Sequence, residues 1–413
     1  MTLRKFLFWL HLVAGLIAGL SIAIMCFTGT VLAFEKQIVA WSERDARLVE
    51  VPAPGTPRLS LDALSAAVRA HAPEVKPTAI TVSADPRAAV TFALGRNGAL
   101  YVNPYTGEVR TPASTKVHDF MHVMEDWHRW LALSGDNRPI GKAINGACNV
   151  AFFVLAVTGL YLWMPRNWSW RSVRAVALFN PSASGKARDF NWHNVIGLWS
   201  APILIVLTLT ALPISYRWAG NLIYTLAGEE APAPGPGGMA GAPVQVPTPP
   251  AGVRPLGRDE LLSRIQISHT SWTEITLRLA APGRGGPPAG APGAGNATRQ
   301  NRPAGGDARP GETRPAVQPA TFVVKTPGAW PRTASTTVSL DPFTGDELRT
   351  DTFASLSTGR KIRTWTRFLH TGEALGVVGQ FLAGVASLGG CFLVYTGVAL
   401  SWRRFFRRKK AAA

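Results

Sequence analysis

Apolar positions gather into four unbroken blocks along the chain, at residues 6–34, 140–164, 194–216 and 376–402, separated by stretches where polar residues dominate. A helix that crosses a hydrocarbon layer about 30 Å thick needs about 20 apolar residues. Each block therefore predicts one transmembrane helix. Gly, Ser, Thr and Cys recur inside the blocks, as expected where helices pack closely in lipid. The first block follows a charged start, MTLRK, as a signal peptide would. It is longer than an h-region of about 7–15 residues and no A-x-A site closes it, so it reads as an uncleaved anchor.

Between the blocks the period changes. Within 35–139, residues 79–94 and 98–102 alternate apolar and polar in the manner of strands. NPYTGE at 103–108 places Pro and Gly where a tight turn needs them. The segment 217–375 carries a similar turn, DPFTGD at 341–346, and two Pro/Gly-rich insertions, 231–253 and 282–320. Neither insertion has the apolar content to bury a core, so both predict disorder.

The two turns lie 238 residues apart, and the same offset carries Gly141 to Gly379, Gly146 to Gly384, and Thr158-Gly159 to Thr396-Gly397. An offset of 182 carries His11, Val13, Gly15 and Leu16 to His193, Val195, Gly197 and Leu198. The chain reads as two copies of span, outer domain, span. Duplicated membrane halves often build a site between them. The predicted class is an α-helical membrane protein with four transmembrane helices, two outer α+β domains and internal duplication.

Composition then fixes an orientation. Of 413 residues, 46% are apolar and only 16% charged, with 43 Lys and Arg against 25 Asp and Glu, a net charge of +18. The start of the chain, the loop 165–193 and the tail 403–413 together hold 13 basic residues and 1 acidic one. Short basic flanks stay on the cytoplasmic side, so both termini are predicted cytoplasmic and 35–139 and 217–375 face outward. Most of the positive charge is this inside flank, which argues against nucleic-acid binding. The three cysteines, Cys26, Cys148 and Cys391, all fall inside apolar blocks. That excludes a disulfide framework and a thiolate zinc site.

Four of the eight histidines stand out. His11 lies two turns inside the first span and His193 occupies the matching place at the third. An ionisable residue in a span is costly and points to function. His128, before the second span, and His370, before the fourth, form a second couple at the outer face, 242 residues apart. Two imidazoles from facing helices are a common way to hold haem iron axially within a bundle. Gly15 and Gly19 after His11, Gly197 after His193, and Gly372 and Gly376 after His370 would admit a planar macrocycle. Arg4, Lys5, Arg188, Arg129 and Arg367 are candidate partners for its propionates. Straight helices put the two histidine layers roughly 30–40 Å apart, which leaves Trp199 or Trp163 as a conceivable aromatic relay. His118 and His122, spaced i, i+4, could bind a metal with Glu125, Asp126 and His128, but are expected to form the polar face of an interfacial helix. No P-loop, dinucleotide loop, HExxH or nucleophile elbow occurs.

Taken as a set, FWLHLVAGLIAGL (8–20), NPYTGE (103–108), WHRWL (127–131), TGLYLWMPR (158–166), WHNVIGLWSAP (192–202), DPFTGD (341–346), LHTGEALG (369–376) and YTGVALSWRR (395–404) make the chain resemble the PepSY-associated transmembrane family. That family includes inner-membrane siderophore-iron reductases. The resemblance implies two PepSY-like periplasmic domains and a bacterial inner-membrane location. It also implies haem b, in two copies, with His11, His193, His128 and His370 as axial ligands. The implied activity is reduction of a ferric siderophore or another ferric chelate, with electrons from a quinol or a cytoplasmic reductase. The competing expectation is a non-redox membrane anchor whose outer domains bind peptides or regulate a protease. A transporter would need broken helices and acidic coupling residues at mid-membrane, which are missing.

Overall fold

The computed structural model describes residues 2–53, 55–165, 167–232, 244–249, 252–279 and 317–406. Most of both Pro/Gly-rich insertions and the tail from 407 lie outside the described residues. In chain order the elements are α1 (Leu3–Leu32), α2 (Glu35–Ser42), α3 (Arg44–Arg47), α4 (Leu61–His71), β1 (Ala79–Ser83), β2 (Val90–Ala93), β3 (Ala99–Val102), β4 (Val109–Arg110), α5 (Lys116–Trp130), α6 (Arg138–Trp163), α7 (Trp170–Ala177), α8 (Gly185–Ser215), α9 (Arg217–Leu226), α10 (Arg258–Ser268), β5 (Glu274–Arg278), β6 (Ala320–Lys325), β7 (Thr336–Leu340), β8 (Glu347–Asp351), α11 (Thr358–His370) and α12 (Val377–Phe405).

Among the described residues four helices, α1, α6, α8 and α12, are long and apolar enough to cross a membrane. Side chains such as Ile17, Leu20, Val377 and Val378 stand largely exposed on them, which only a lipid solvent makes favourable. In the bundle α1 packs on α12, α12 on α8, α8 on α6 and α6 on α1. This order sets α1 and α8 on one diagonal, α6 and α12 on the other. The third helix starts nine residues before its apolar block. Hydropathy marks the part that lipid covers, and the polar turns at 185–193 continue the helix beyond it. There Asp189, 1% exposed, is held by Arg188 at 3.0 Å and by Arg403 of α12 at 2.8 Å.

Each outer segment contributes four strands. They do not form separate sheets but one antiparallel sheet of eight, in the order β4-β3-β2-β1-β5-β6-β7-β8. The seam pairs β1 with β5, Ala79 opposite Arg278 through Ser83 opposite Glu274. The Thr81 and Thr276 hydroxyls meet across it at 2.8 Å. One hydrophobic core serves both segments. Leu64 and Val68 of α4 and Leu261 and Ile265 of α10 cover Ile80, Phe92, Ile275, Phe322 and Val338. The Asp259 carboxylate of α10 accepts the Leu61 N–H at the start of α4, 2.7 Å away, a charge-favoured helix cap supplied by the other segment.

The two expected turns are superimposable in their bonding. Asn103 Oδ1 accepts from Tyr105 N at 2.9 Å, and Asp341 Oδ1 from Phe343 N at 2.8 Å. Gly107 (φ +76°) and Gly345 (φ +73°) take the left-handed position in each. The sheet is anchored to the helices through Glu43, buried at the α2–α3 junction, which accepts from the Tyr101 hydroxyl of β3 at 2.7 Å and from Arg47 at 2.6 Å. Burial and then that hydrogen bond hold the Tyr101 phenol well above its ordinary range.

Candidate functional site

The bundle brings the four singled-out histidines together in two couples. At the end that carries Arg4, Arg188 and Arg403, hereafter the basic end, His11 of α1 and His193 of α8 face each other across the diagonal, ring centres 6.4 Å apart. His11 Nδ1 lies 2.9 Å from Thr158 Oγ1 of α6, and His193 Nδ1 lies 2.9 Å from Thr396 Oγ1 of α12. Each threonine commits its own proton to a carbonyl one turn back, Thr158 to Val154 O at 2.6 Å and Thr396 to Phe392 O at 2.8 Å. A hydroxyl has one proton to give. Both threonines therefore accept, both histidines carry hydrogen on Nδ1, and both Nε2 lone pairs are free.

At the sheet end, His128 of α5 and His370 of α11 stand with ring centres 6.2 Å apart. His128 Nδ1 donates to Met25 O at 3.1 Å and to Thr28 Oγ1 at 2.9 Å, and His370 Nδ1 to Leu207 O at 2.9 Å. Carbonyls only accept, so these rings too keep Nε2 unprotonated. The partners correspond: Leu207 stands 182 residues after Met25, as His193 does after His11.

These four imidazoles could hold a metal centre. A metal bound by a nitrogen from each of two imidazoles at about 2.0–2.1 Å would need the ring centres roughly 6 Å apart, as they are here. Metal-bound histidine ordinarily donates its second N–H to a carbonyl or similar acceptor, as all four do. Among the described residues no three His, Cys, Asp or Glu side chains converge to hold a metal ion. Two imidazoles alone leave a bare ion under-coordinated, whereas a porphyrin brings four nitrogens of its own. A glycine lies against one histidine ring of each couple. A Cβ on Gly159 would sit 3.3 Å from His11 Cε1, and one on Gly29 would sit 3.2 Å from His128 Cε1.

The family model of the PepSY-associated TM region matches residues 8–404. The chain belongs to the PepSY-associated transmembrane family. Comparison with curated proteins finds no match. Family membership together with four apolar helices makes this a multi-pass protein of a lipid bilayer.

Within this family member the distance between the couples is shorter than straight helices imply. α5 and α11 do not run on into α6 and α12. They fold back beside the bundle, α5 against α1 and α6, α11 against α8. Leu131 (φ +51°) and Ala132 (φ +58°) reverse the chain after α5, and Gly372 and Gly376 do so after α11. Where the chain crosses the first turn of the next helix, a Cβ on Gly141 would collide with the Trp130 carbonyl oxygen and one on Gly379 with that of Gly372, so only glycine fits. His128 and His370 thus reach down to Met25 and Leu207. Fourteen residues separate each of these from His11 or His193, about 21 Å of helix. The space between the layers is apolar, filled by Ile22, Cys26, Phe152, Ala156, Leu204 and Ala386.

Other expectations are relocated. Trp163 and Trp199 are not between the couples; their indole N–H groups donate to Val176 O and Ala177 O and pin α7. Gly15, Gly19 and Gly197 pack against Leu155, Val394 and Leu393 rather than against a histidine ring. Arg4 donates to Leu162 O, Arg188 pairs with Asp189, Arg129 with Glu125, and Arg367 lies over Phe368. His118 and His122 of α5 meet edge to face, ring centres 4.3 Å apart. His122 Nε2 donates to Arg96 O at 3.1 Å, and Arg96 pairs with Asp126 at 3.3 Å. This polar face docks the β2–β3 turn. On the other side Trp330, between β6 and β7, packs on Trp365 of α11 at 5.6 Å. The threonines and Gly29, Gly159 and Gly397 were the residues missed. The Thr-Gly pairs at 28–29, 158–159 and 396–397 were their sequence signal.

Proposed function

We propose that the chain is a haem oxidoreductase of the bacterial inner membrane. It carries electrons from a quinol or a cytoplasmic reductase to a ferric chelate, such as a ferric siderophore, on the periplasmic side. His11 with His193, and His128 with His370, would each hold one haem b. The basic end faces the cytoplasm in this reading, since short basic flanks are retained there, and the eight-stranded sheet faces the periplasm. The matched offsets, matched turns and matched histidine partners support an origin by internal duplication.

The observation that carries the reading is the pair of ring separations, 6.4 and 6.2 Å, with all four Nε2 atoms free. Haem would supply a one-electron ferric/ferrous couple at each end of the bundle. The chain's own part is positional. Thr158, Thr396 and the carbonyls of Met25 and Leu207 orient the four rings. Ile22, Phe152 and Leu204 keep water out between the layers. Reduction of the chelated metal weakens its hold by hard oxygen donors and so releases iron, a step that asks for no acid–base residue.

The test is transport of electrons in sealed proteoliposomes. With reductant enclosed and a ferric chelate outside, ferrous iron should appear outside only when the holoprotein is present. A chain that folds, carries no pigment and leaves the chelate ferric would favour the peptide-binding or protease-regulating anchor instead.

A further inference from the structure

The two couples are presented to iron in different ways. At the sheet end His370 Nδ1 donates to the Leu207 carbonyl alone, and His128 Nδ1 to the Met25 carbonyl as well as to Thr28 Oγ1, so a main-chain acceptor that no substitution removes stays at each ring. At the basic end His11 Nδ1 goes to the Thr158 hydroxyl alone, and His193 Nδ1 to the Thr396 hydroxyl with the Leu393 main chain also in reach. Both threonines are buried, Thr158 at 8% and Thr396 at 0% exposed, so water does not compete for the bond. Their protons are already given to Val154 and Phe392, so they can serve only as acceptors. Ser or Thr is common in spans because it bonds the carbonyl one turn back. That habit explains the two carbonyl bonds but not the 2.9 Å approach of a histidine nitrogen to each.

We propose that Thr158 and Thr396 are positioning residues that tune the basic-end couple: each locks its histidine in the Nδ1–H form and, by accepting that hydrogen, sets how strongly Nε2 donates to iron. This rests on the haem reading above. An acceptor on the far nitrogen raises the basicity of the ligating one and favours ferric over ferrous iron. Removing it therefore raises the midpoint potential of the haem at that end alone. Such outer partners typically shift metal affinity 10–100-fold. The expected change in the ferrous-to-ferric ratio is about tenfold, or about 59 mV for one electron.

Redox titration of the holoprotein tests this, with His11→Ala used to assign which of two spectral components belongs to the basic end. Thr158→Val should raise that component, or shed that haem alone, and Thr396→Val should do so by less because the Leu393 main chain still reaches His193, while the sheet-end component stays put. Thr158→Ser and Thr396→Ser, which keep the hydroxyl, should restore the parent value. Thr28→Val should move the sheet-end component by less, because Met25 O still holds His128. Val variants that leave both components unmoved in a haem-loaded parent would overturn the proposal and leave the haem reading standing. Shifts shared equally by both components, or haem loss in the Ser variants as well, would make the threonines packing residues only. A parent chain without haem would overturn the proposal together with the reading beneath it.

Discussion

The two ends of the bundle hold their histidines at nearly the same separation, 6.4 Å at the basic end and 6.2 Å at the sheet end, yet build them differently. The basic-end rings grow from two of the spans and are buttressed by the other two. Their support is self-contained. The sheet-end rings grow from α5 and α11, helices that lie beside the spans and each carry a contact from the sheet, Arg96 on one and Trp330 on the other. One geometry is thus imposed by the membrane bundle alone, the other by bundle and sheet together. The difference teaches that whatever acts on the sheet is mechanically next to one couple and far from the other.

The largest effects should separate the ends outright. His11→Ala or His193→Ala should each remove one of two haems, and His128→Ala or His370→Ala the other, read as a halved pigment content per chain. Loss of both from one substitution would break the comparison. Next in size is Asp189→Asn. It leaves Arg188 and Arg403 without their shared carboxylate. Breaking a fully buried pair costs about 3–5 kcal/mol, and with both arginines partly exposed about 2–3 kcal/mol is expected. Thermal unfolding in detergent should show it, with the basic-end haem lost first. Somewhat smaller is the cost of filling the close approaches, about 1–3 kcal/mol for overpacking. Gly159→Val should weaken haem retention at the basic end and Gly29→Val at the sheet end, each sparing the other in a haem-transfer assay.

The smallest effect is electrostatic and belongs to the sheet end. Burial, and then the nearby Glu125 charge, holds the Glu35 carboxyl above its ordinary range. A carboxyl raised in the folded state contributes stability at low pH that is lost as pH rises through its folded value. Glu35→Gln should therefore raise the melting temperature at pH 7–8, and the gain should vanish as the pH falls towards about 4. A gain that grows with acidity would contradict this.

The sequence made some of this legible and hid the rest for physical reasons. Four apolar blocks are visible because lipid demands them, and the histidine couples because the repeated offset marks His11 with His193. The strands around NPYTGE and DPFTGD follow from alternation and turn chemistry. Hidden was the seam between β1 and β5. Edge pairing of two segments nearly 200 residues apart is decided by tertiary contact, and nothing local in 79–83 or 274–278 announces it. Hidden too was the descent of His128 into the bundle. It depends on Leu131 and Ala132 adopting left-handed conformations that neither residue type favours. The threonine supports were in view as a repeated Thr-Gly, but a hydroxyl's role as acceptor is legible only once its own proton is seen to be spent.

Counting haem per chain in the purified, fully folded protein tests the central claim most directly. Two haems b per chain, falling to one in His11→Ala and one in His370→Ala and to none when both are replaced, is the predicted result. A colourless parent chain whose helical content and melting behaviour are those of a folded protein would contradict it.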